Sequence, residues 1–413
     1  RRVLNVEHAD DGALWSTSPT GIQFHCDDYG PWTRRKGLLI NYGKNKALIF
    51  GKRPREIPTI TLLDTPIEWT DDTRFLGIVF CSTAMDIFRS HSIQLAKKAL
   101  RVCNVTFAME RFLGDIHPRT GLSIYSVRVD SVLTYGAQIV VVTADSTLRH
   151  LEKVQVAFLR RLLHVHKRSM TTVLFSAIRY RRLILAMRYL LHLLAERSSS
   201  KLAPFGLDAC IELRRLGKRN WLTDIATVLG HLYHPILINI NELLSPDRVH
   251  ELITTVDHMW KDELVDIITG SPTTSLLAHR FVLSQASSAV FRPYLDVRIP
   301  AHRVALTRAL TGTHDLAIER GKWVGLARQW RLCRMCNDDV EDVIHVLFMC
   351  NHGAAVQLRQ PFLNTTLSSF PALSGLNSPE SLFHRMIESK DLTEPTARFV
   401  YNMFSLWKSV PLF

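Results

Sequence analysis

Cys333-Arg334-Met335-Cys336, eight further residues, His345, four further residues and Cys350 form a Cys-x2-Cys-x8-His-x4-Cys series. Three thiolates and one imidazole suit a closed tetrahedral Zn²⁺ site, which is structural because no coordination position is left for a reacting water. Cys-x2-Cys can turn both sulfurs towards one metal. His345 and Cys350 would lie near one face of a helix expected over 340–349, and His352 could stand in for Cys350. The alternative is four buried, unlinked side chains. Near the other end stands Ala9-Asp10-Asp11 on a short apolar-flanked segment. Carboxylate oxygens suit Mg²⁺, and two Mg²⁺ ions assist nucleotidyl transfer. Two adjacent Asp at a hairpin tip can aim only one carboxylate at the metals, because side chains alternate along a strand. A further Asp on a different strand is therefore required. A bare Asp pair is also an ordinary turn, which is how Asp71-Asp72 reads.

The chain that must position these groups has 413 residues, enough for two or three domains with real cores. A hydrophobic content of 46% and a charged content of 22% are ordinary for a globular protein. Residues 1–14 contain no apolar h-region, so no secretory signal is expected there. The best apolar stretch, 183–195, is interrupted by Arg188 and His192 and is too short for a bilayer, so no membrane partner is expected. Seven cysteines, an odd number, argue against a disulfide framework. The expected setting is intracellular, nuclear or cytoplasmic, with reduced thiols. With 51 Lys+Arg against 38 Asp+Glu, the net charge of +13 favours a polyanionic partner. Arg160, Arg161, Lys167, Arg168, Arg179, Arg181, Arg182 and Arg188 fall in one helical region, and Arg214, Arg215, Lys218 and Arg219 form a second cluster. These are either solvated helix faces or phosphate contacts. Arg328, Arg331 and Arg334 would add a basic surface to the Cys/His segment.

Residues 1–84 read as short strands and turns around one helix over 21–36, with Asp10-Asp11 at a hairpin tip. Beyond Met85 the pattern is helical. Leu148, Leu151, Val154, Phe158, Leu159 and Leu162 repeat at three- and four-residue spacing, with Asp145 and Ser146 as the expected N-cap. A buried helix is expected over 183–194, a linker near 198–204, more helices over 205–310, a loop over 361–379 and one final helix over 380–407. Glu380, Lys390 and Asp391 lie in that last helix, which argues against a nuclease site.

The ordered N-terminal blocks resemble non-LTR retrotransposon reverse transcriptases. Ala9-Asp10-Asp11 with Ala13-Leu14 resembles the catalytic hairpin of that family, and 22–36 the helix after it. Gly37-Leu38-Leu39-Ile40-Asn41 with Lys44, Lys46 and Phe50-Gly51 resembles the next block, in which lysines lie near the incoming triphosphate. Phe75-Leu76-Gly77 resembles the primer-grip turn. Leu133-x-Tyr135-Gly136 and 151–161 resemble the thumb helices, and the Cys/His series the C-terminal zinc region. His8 departs from the pattern, since the family carries Tyr or Phe there.

The resemblance implies an α+β, predominantly α-helical C-terminal portion: a residual antiparallel palm sheet (1–84), thumb and post-thumb helices (85–200), a helical connection (201–300), a zinc knuckle (301–360) and a C-terminal loop and helix (361–413). It implies RNA-directed DNA polymerisation as the family's activity, with Asp10 as Mg²⁺ ligand, Asp11 as its auxiliary, and dNTP, RNA and DNA as partners. The family's first catalytic Asp and its fingers lie upstream of this hairpin, so the expectation is a chain inactive by itself, with Mg²⁺ bound only if the site is completed. The other expectation is a non-catalytic, zinc-stabilised RNA- or DNA-binding protein.

Overall fold

The computed structural model describes residues 5–9, 11–166, 178–197, 203–271, 276–277, 293–376 and 378–412. The protein is predominantly helical α+β, and among the described residues its strands lie within the N-terminal 84. Those strands form four separate two-stranded ladders. Asn5–His8 pairs antiparallel with Asp11–Leu14, Thr61–Leu62 with Thr65–Pro66, and Asp72–Phe75 with Ile78–Cys81, whereas Lys46–Ala47 pairs parallel with Glu68–Trp69. The helix Pro19–Arg35 lies beside them, capped by the Ser18 hydroxyl, which accepts from the Gly21 amide. Cys26, Ile60 and Leu62 make a small core there.

The hairpin at 72–81 shows how local chemistry sets a turn. Its two-residue loop has Leu76 at φ 48° and Gly77 at φ 79°, the pair of positive values that a type I′ turn requires. A Cβ on Gly77 would come within 2.4 Å of the Tyr135 hydroxyl, which itself donates to the Leu76 carbonyl. Gly77→Ala should therefore destabilise the hairpin by about 1–2 kcal/mol. Leu76→Asn, which creates the Asn-Gly pair that this turn prefers, should stabilise it by a few tenths. Thermal unfolding of the two variants would expose an error in this account if the shifts had the same sign.

Beyond the ladders lies a first helical core. Arg89–Ala108 packs against Asp145–Leu162 and against a π-helical turn, Tyr125–Asp130. The rings of Phe107 and Tyr125 stand 4.9 and 5.2 Å from that of Phe158. The expected apolar stripe from Leu148 to Leu162 is buried throughout. The expected N-cap is not used: Ala144 occupies the cap position, because the Asp145 carboxylate binds Arg179 at 2.7 Å.

A second, larger core runs from Leu163 to Trp407. In it Ile178–Ala195 packs on Pro246–Thr269, and Pro300–Leu310 on Lys390–Lys408. Two expectations fail in this part of the chain. The segment 361–379 is not a loop: a helix extends over Gly353–Ser369 with Pro361 inside it, followed by a 3₁₀ turn at Pro371–Gly375. Packing overrides local preference here, since Phe362 stacks flat on Phe399 at 4.1 Å. The single final helix is instead two, Pro379–Glu388 and Lys390–Lys408, broken where Ser389 adopts ψ 123°. The Thr393 hydroxyl holds that joint by donating to the Ser389 and Ile387 carbonyls. Among the described residues no helix is long and apolar enough to cross a membrane.

Candidate metal centre

The Cys/His series folds around a short loop closed by its own backbone. Leu332 and Val340 form an antiparallel bridge, the Cys333 amide donates to the Asp339 carbonyl at 2.8 Å, and the Asn337 amide donates to the Cys333 carbonyl at 2.8 Å. Asn337 takes the left-handed conformation that closes the turn, φ 60°, which Asn tolerates better than most residues. Cys333 and Cys336 are thereby turned to one side.

The helix expected from Val340 starts later, because Val340 belongs to the bridge. Asp342 caps the helix by accepting from the His345 amide at 2.9 Å. Over His345–Met349 the helix is π-wound, and the Cys350 amide donates to the His345 carbonyl at 2.8 Å. The winding matters for the ligands. In an α-helix residues five apart are rotated by about 140° from one another. The wider π turn, with its i→i+5 bonds, brings them closer to one face. His345 and Cys350 can then address the same point.

The four candidate ligand atoms lie within 4.8 Å of one another. The sulfurs of Cys333 and Cys350 are 3.9 Å apart, and Cys336 Sγ is 3.3 Å from His345 Nε2. A tetrahedron with Zn–S bonds of about 2.3 Å has edges of about 3.8 Å, which these two separations approach. His345 presents Nε2. Its buried Nδ1 has no hydrogen-bond partner, and Asp339 Oδ2 stands 3.8 Å from it. Cys333 and Cys350 are buried, and Cys336 half-buried. Burial pushes the Cys333 thiol up and the Cys350 thiol up to about 12. Backbone amides of Met335 and Cys336 at Cys333, and of His352 at Cys350, act in the opposite direction. Arg359 lies close enough to Cys350 to feel its charge. These groups can hold a metal ion such as zinc, and among the described residues they are the one cluster that can. His352, the possible substitute, is not among the four converging residues and stands at the N-cap position of Gly353–Ser369.

The expected basic surface is largely absent. Arg331 donates to the carbonyls of Ile318 and Leu326, and Arg334 reaches inward to Glu341 and to the end of the last helix. Between them the two guanidiniums serve carbonyls of the irregular segment, Leu326 and Asp315, and of the last turn of the chain, Trp407 and Val410. Arg328 is exposed, with Asp342 at 3.5 Å. Much of the other basic run is also turned inward. Arg182 is buried, donating to the carbonyls of Leu133 at 2.6 Å and Val140 at 3.0 Å, and burial pulls it down to about 10. Arg181 pairs with Asp130 and Arg179 with Asp145. Arg161 covers the Phe107 ring at 4.4 Å and pairs with Glu110, while Arg160 is held low by burial. Lys167 and Arg168 lie outside the described residues.

Of the N-terminal candidates, Asp10 lies outside the described residues and Asp11 is exposed, opposite His8 at the hairpin's end. Lys44 is exposed in a 3₁₀ turn, and Lys46 is ion-paired with Glu68. Phe75-Leu76-Gly77 forms the hairpin turn described above. Asp11, Lys46 and Phe75 stand in three ladders that share no strand. Glu341, Asp342 and Arg359 carry no motif signal in the sequence. Only the spacing of Asp342 three residues before His345, that of an N-cap, could have pointed to one of them. Compared with known protein families, curated proteins and solved structures, the chain matches none.

Proposed function

We propose that the chain is a C-terminal portion of a non-LTR retrotransposon reverse transcriptase whose own contribution is a zinc-stabilised helical body that binds nucleic acid. The convergence of Cys333, Cys336, His345 and Cys350 carries this reading, because that donor set is the one expected of the family's C-terminal region. Zn²⁺ supplies no reaction step there: four protein ligands close its coordination, and its effect is to hold two short segments together. The net charge of +13 supports a polyanionic partner. The alternative, a non-catalytic nucleic-acid-binding protein, has the same metal site and differs only in its parent activity.

The parent chemistry is attack of a primer 3′-hydroxyl on a dNTP α-phosphate, assisted by two Mg²⁺. Among the described residues no third strand pairs with the hairpin that carries Asp11, so a second carboxylate on a neighbouring strand is not in place. The purified chain is therefore expected to show no primer extension. Mg²⁺-dependent synthesis abolished by Asp10→Asn would overturn that expectation. Binding to RNA or DNA, followed by fluorescence anisotropy, should weaken linearly in log K against log salt. It should survive Asp10→Asn and fall after chelation or Cys333→Ser. An affinity indifferent to salt would remove the nucleic-acid reading.

A further inference from the structure

Arg334 follows the first ligand cysteine, yet its guanidinium reaches three other parts of the fold. Nε and Nη2 bind the Glu341 carboxylate at 3.0 and 2.6 Å, and Nη2 also donates to the Asp315 carbonyl at 2.8 Å. Nη1 donates to the carbonyls of Trp407 at 3.3 Å and Val410 at 3.1 Å. The last two stand at the end of Lys390–Lys408, where a cation is favoured, and the Trp407 carbonyl also accepts from the Val410 amide at 3.2 Å. Glu341 is 0% exposed and also accepts from the amides of Arg334 and Ala317, each at 2.8 Å. The metal-binding turn and the cap of the C-terminal helix therefore share one side chain.

We propose that metal loading at the Cys/His site and docking of the C-terminal helix are a single linked equilibrium, transmitted by Arg334 as a positioning residue for both. The inference rests on the metal reading above. Bound metal fixes the Cys333–Cys336 turn and with it the backbone from which Arg334 projects. A planar guanidinium engaging five acceptors tolerates little displacement of that backbone. Release of the metal frees the turn: the Val410 carbonyl loses the Arg334 donor, and the Trp407 carbonyl is left with the Val410 amide. Linkage is reciprocal, so a docked helix raises metal affinity by the factor by which metal favours docking.

The test uses the full chain, with Zn²⁺ affinity measured by competition against a chelating dye and docking by amide hydrogen exchange over 390–408. In the wild type, chelation should speed exchange in that helix by about tenfold or more. In R334M/E341M, which replaces the buried ion pair by apolar groups and leaves no lone charge, zinc affinity should fall by about tenfold. The effect of chelation on the helix should then nearly vanish. Should that variant fold poorly, R334K serves instead: it keeps a cation beside Glu341 but cannot reach all five acceptors, and the same uncoupling is expected. Zinc uptake with no change in the wild-type helix would overturn the linkage alone, as would an undiminished effect in either variant. Absence of uptake by the wild type would overturn the metal reading and the linkage together.

Discussion

Chelation of the zinc-loaded chain, or Cys333→Ser, should unfold the segment around 316–352 while leaving the core of Phe107, Tyr125 and Phe158 intact. The magnitude follows from what metal does in such a segment. Backbone hydrogen bonds close the loop at 333–339, and before Val343 its apolar support is Cys333 with the half-buried Met335, Cys336 and Val340. For isolated zinc-finger peptides the apparent binding free energy is about 10–16 kcal/mol and is nearly all folding free energy. Here Cys333, Val343, Val346, Leu347 and Cys350 also belong to the large core, so packing retains part of the structure and the expected loss is smaller than in a peptide. Two readouts separate the outcomes. Cobalt substitution should give one metal per chain with intense thiolate-to-metal absorption, lost in Cys333→Ser and in Cys350→Ser. Hydrogen exchange should rise over 316–352 and stay unchanged over 145–162. Acid works in the same direction as chelation, since protons compete with the metal for three thiolates, and metal should be released progressively as pH falls below neutrality. Equal protection with and without metal would show that the four side chains are merely neighbours in a core.

How much of this was visible beforehand differs by element, for identifiable reasons. The stripe from Leu148 to Leu162 was legible because one helix face and one core suffice to specify it. That Cys333, Cys336, His345 and Cys350 would come together was legible because ligand chemistry needs particular side chains at particular spacings. The way they converge was not, since it depends on a π turn at His345–Met349 that no local preference announces. Polar composition misled at 361–379, where Phe362 finds Phe399 from a distant segment. Charge misled in the same manner. Arg182 and Arg334 look like surface cations in a basic run, and each instead donates to backbone carbonyls far along the chain. Hydrophobic periodicity reports which face of an element is apolar. It does not report which distant backbone carbonyls a side chain will meet, and in this chain those carbonyls hold the two arginines inside.

Glu341→Ala tests the most consequential of these inward charges and is expected to cost on the order of 4 kcal/mol, more than Arg334→Met/Glu341→Met together. The reasoning starts from what the deletion leaves behind. The Glu341 side chain is fully buried and receives the Arg334 guanidinium and the amides of Ala317 and Arg334. Removing it strands a guanidinium whose side chain is 10% exposed, together with two amide donors. A buried charge left without its partner costs about 3–5 kcal/mol, and each stranded donor about 1–3 kcal/mol. These contributions overlap, because Arg334 keeps the carbonyls of Asp315, Trp407 and Val410, which carry no charge but absorb part of its hydrogen-bonding demand. The double variant strands the same two amides but removes both charges at once, so it forfeits the pair's attraction and is relieved of its desolvation cost as well. Glu341→Gln should fall between: it can still accept from Ala317 but no longer balances Arg334. Urea unfolding followed by tryptophan fluorescence, with Trp407 at the affected helix end, gives the three values on one scale. A single variant no less stable than the double would mean that Arg334 finds its compensation elsewhere and that Glu341 is not its necessary counterion.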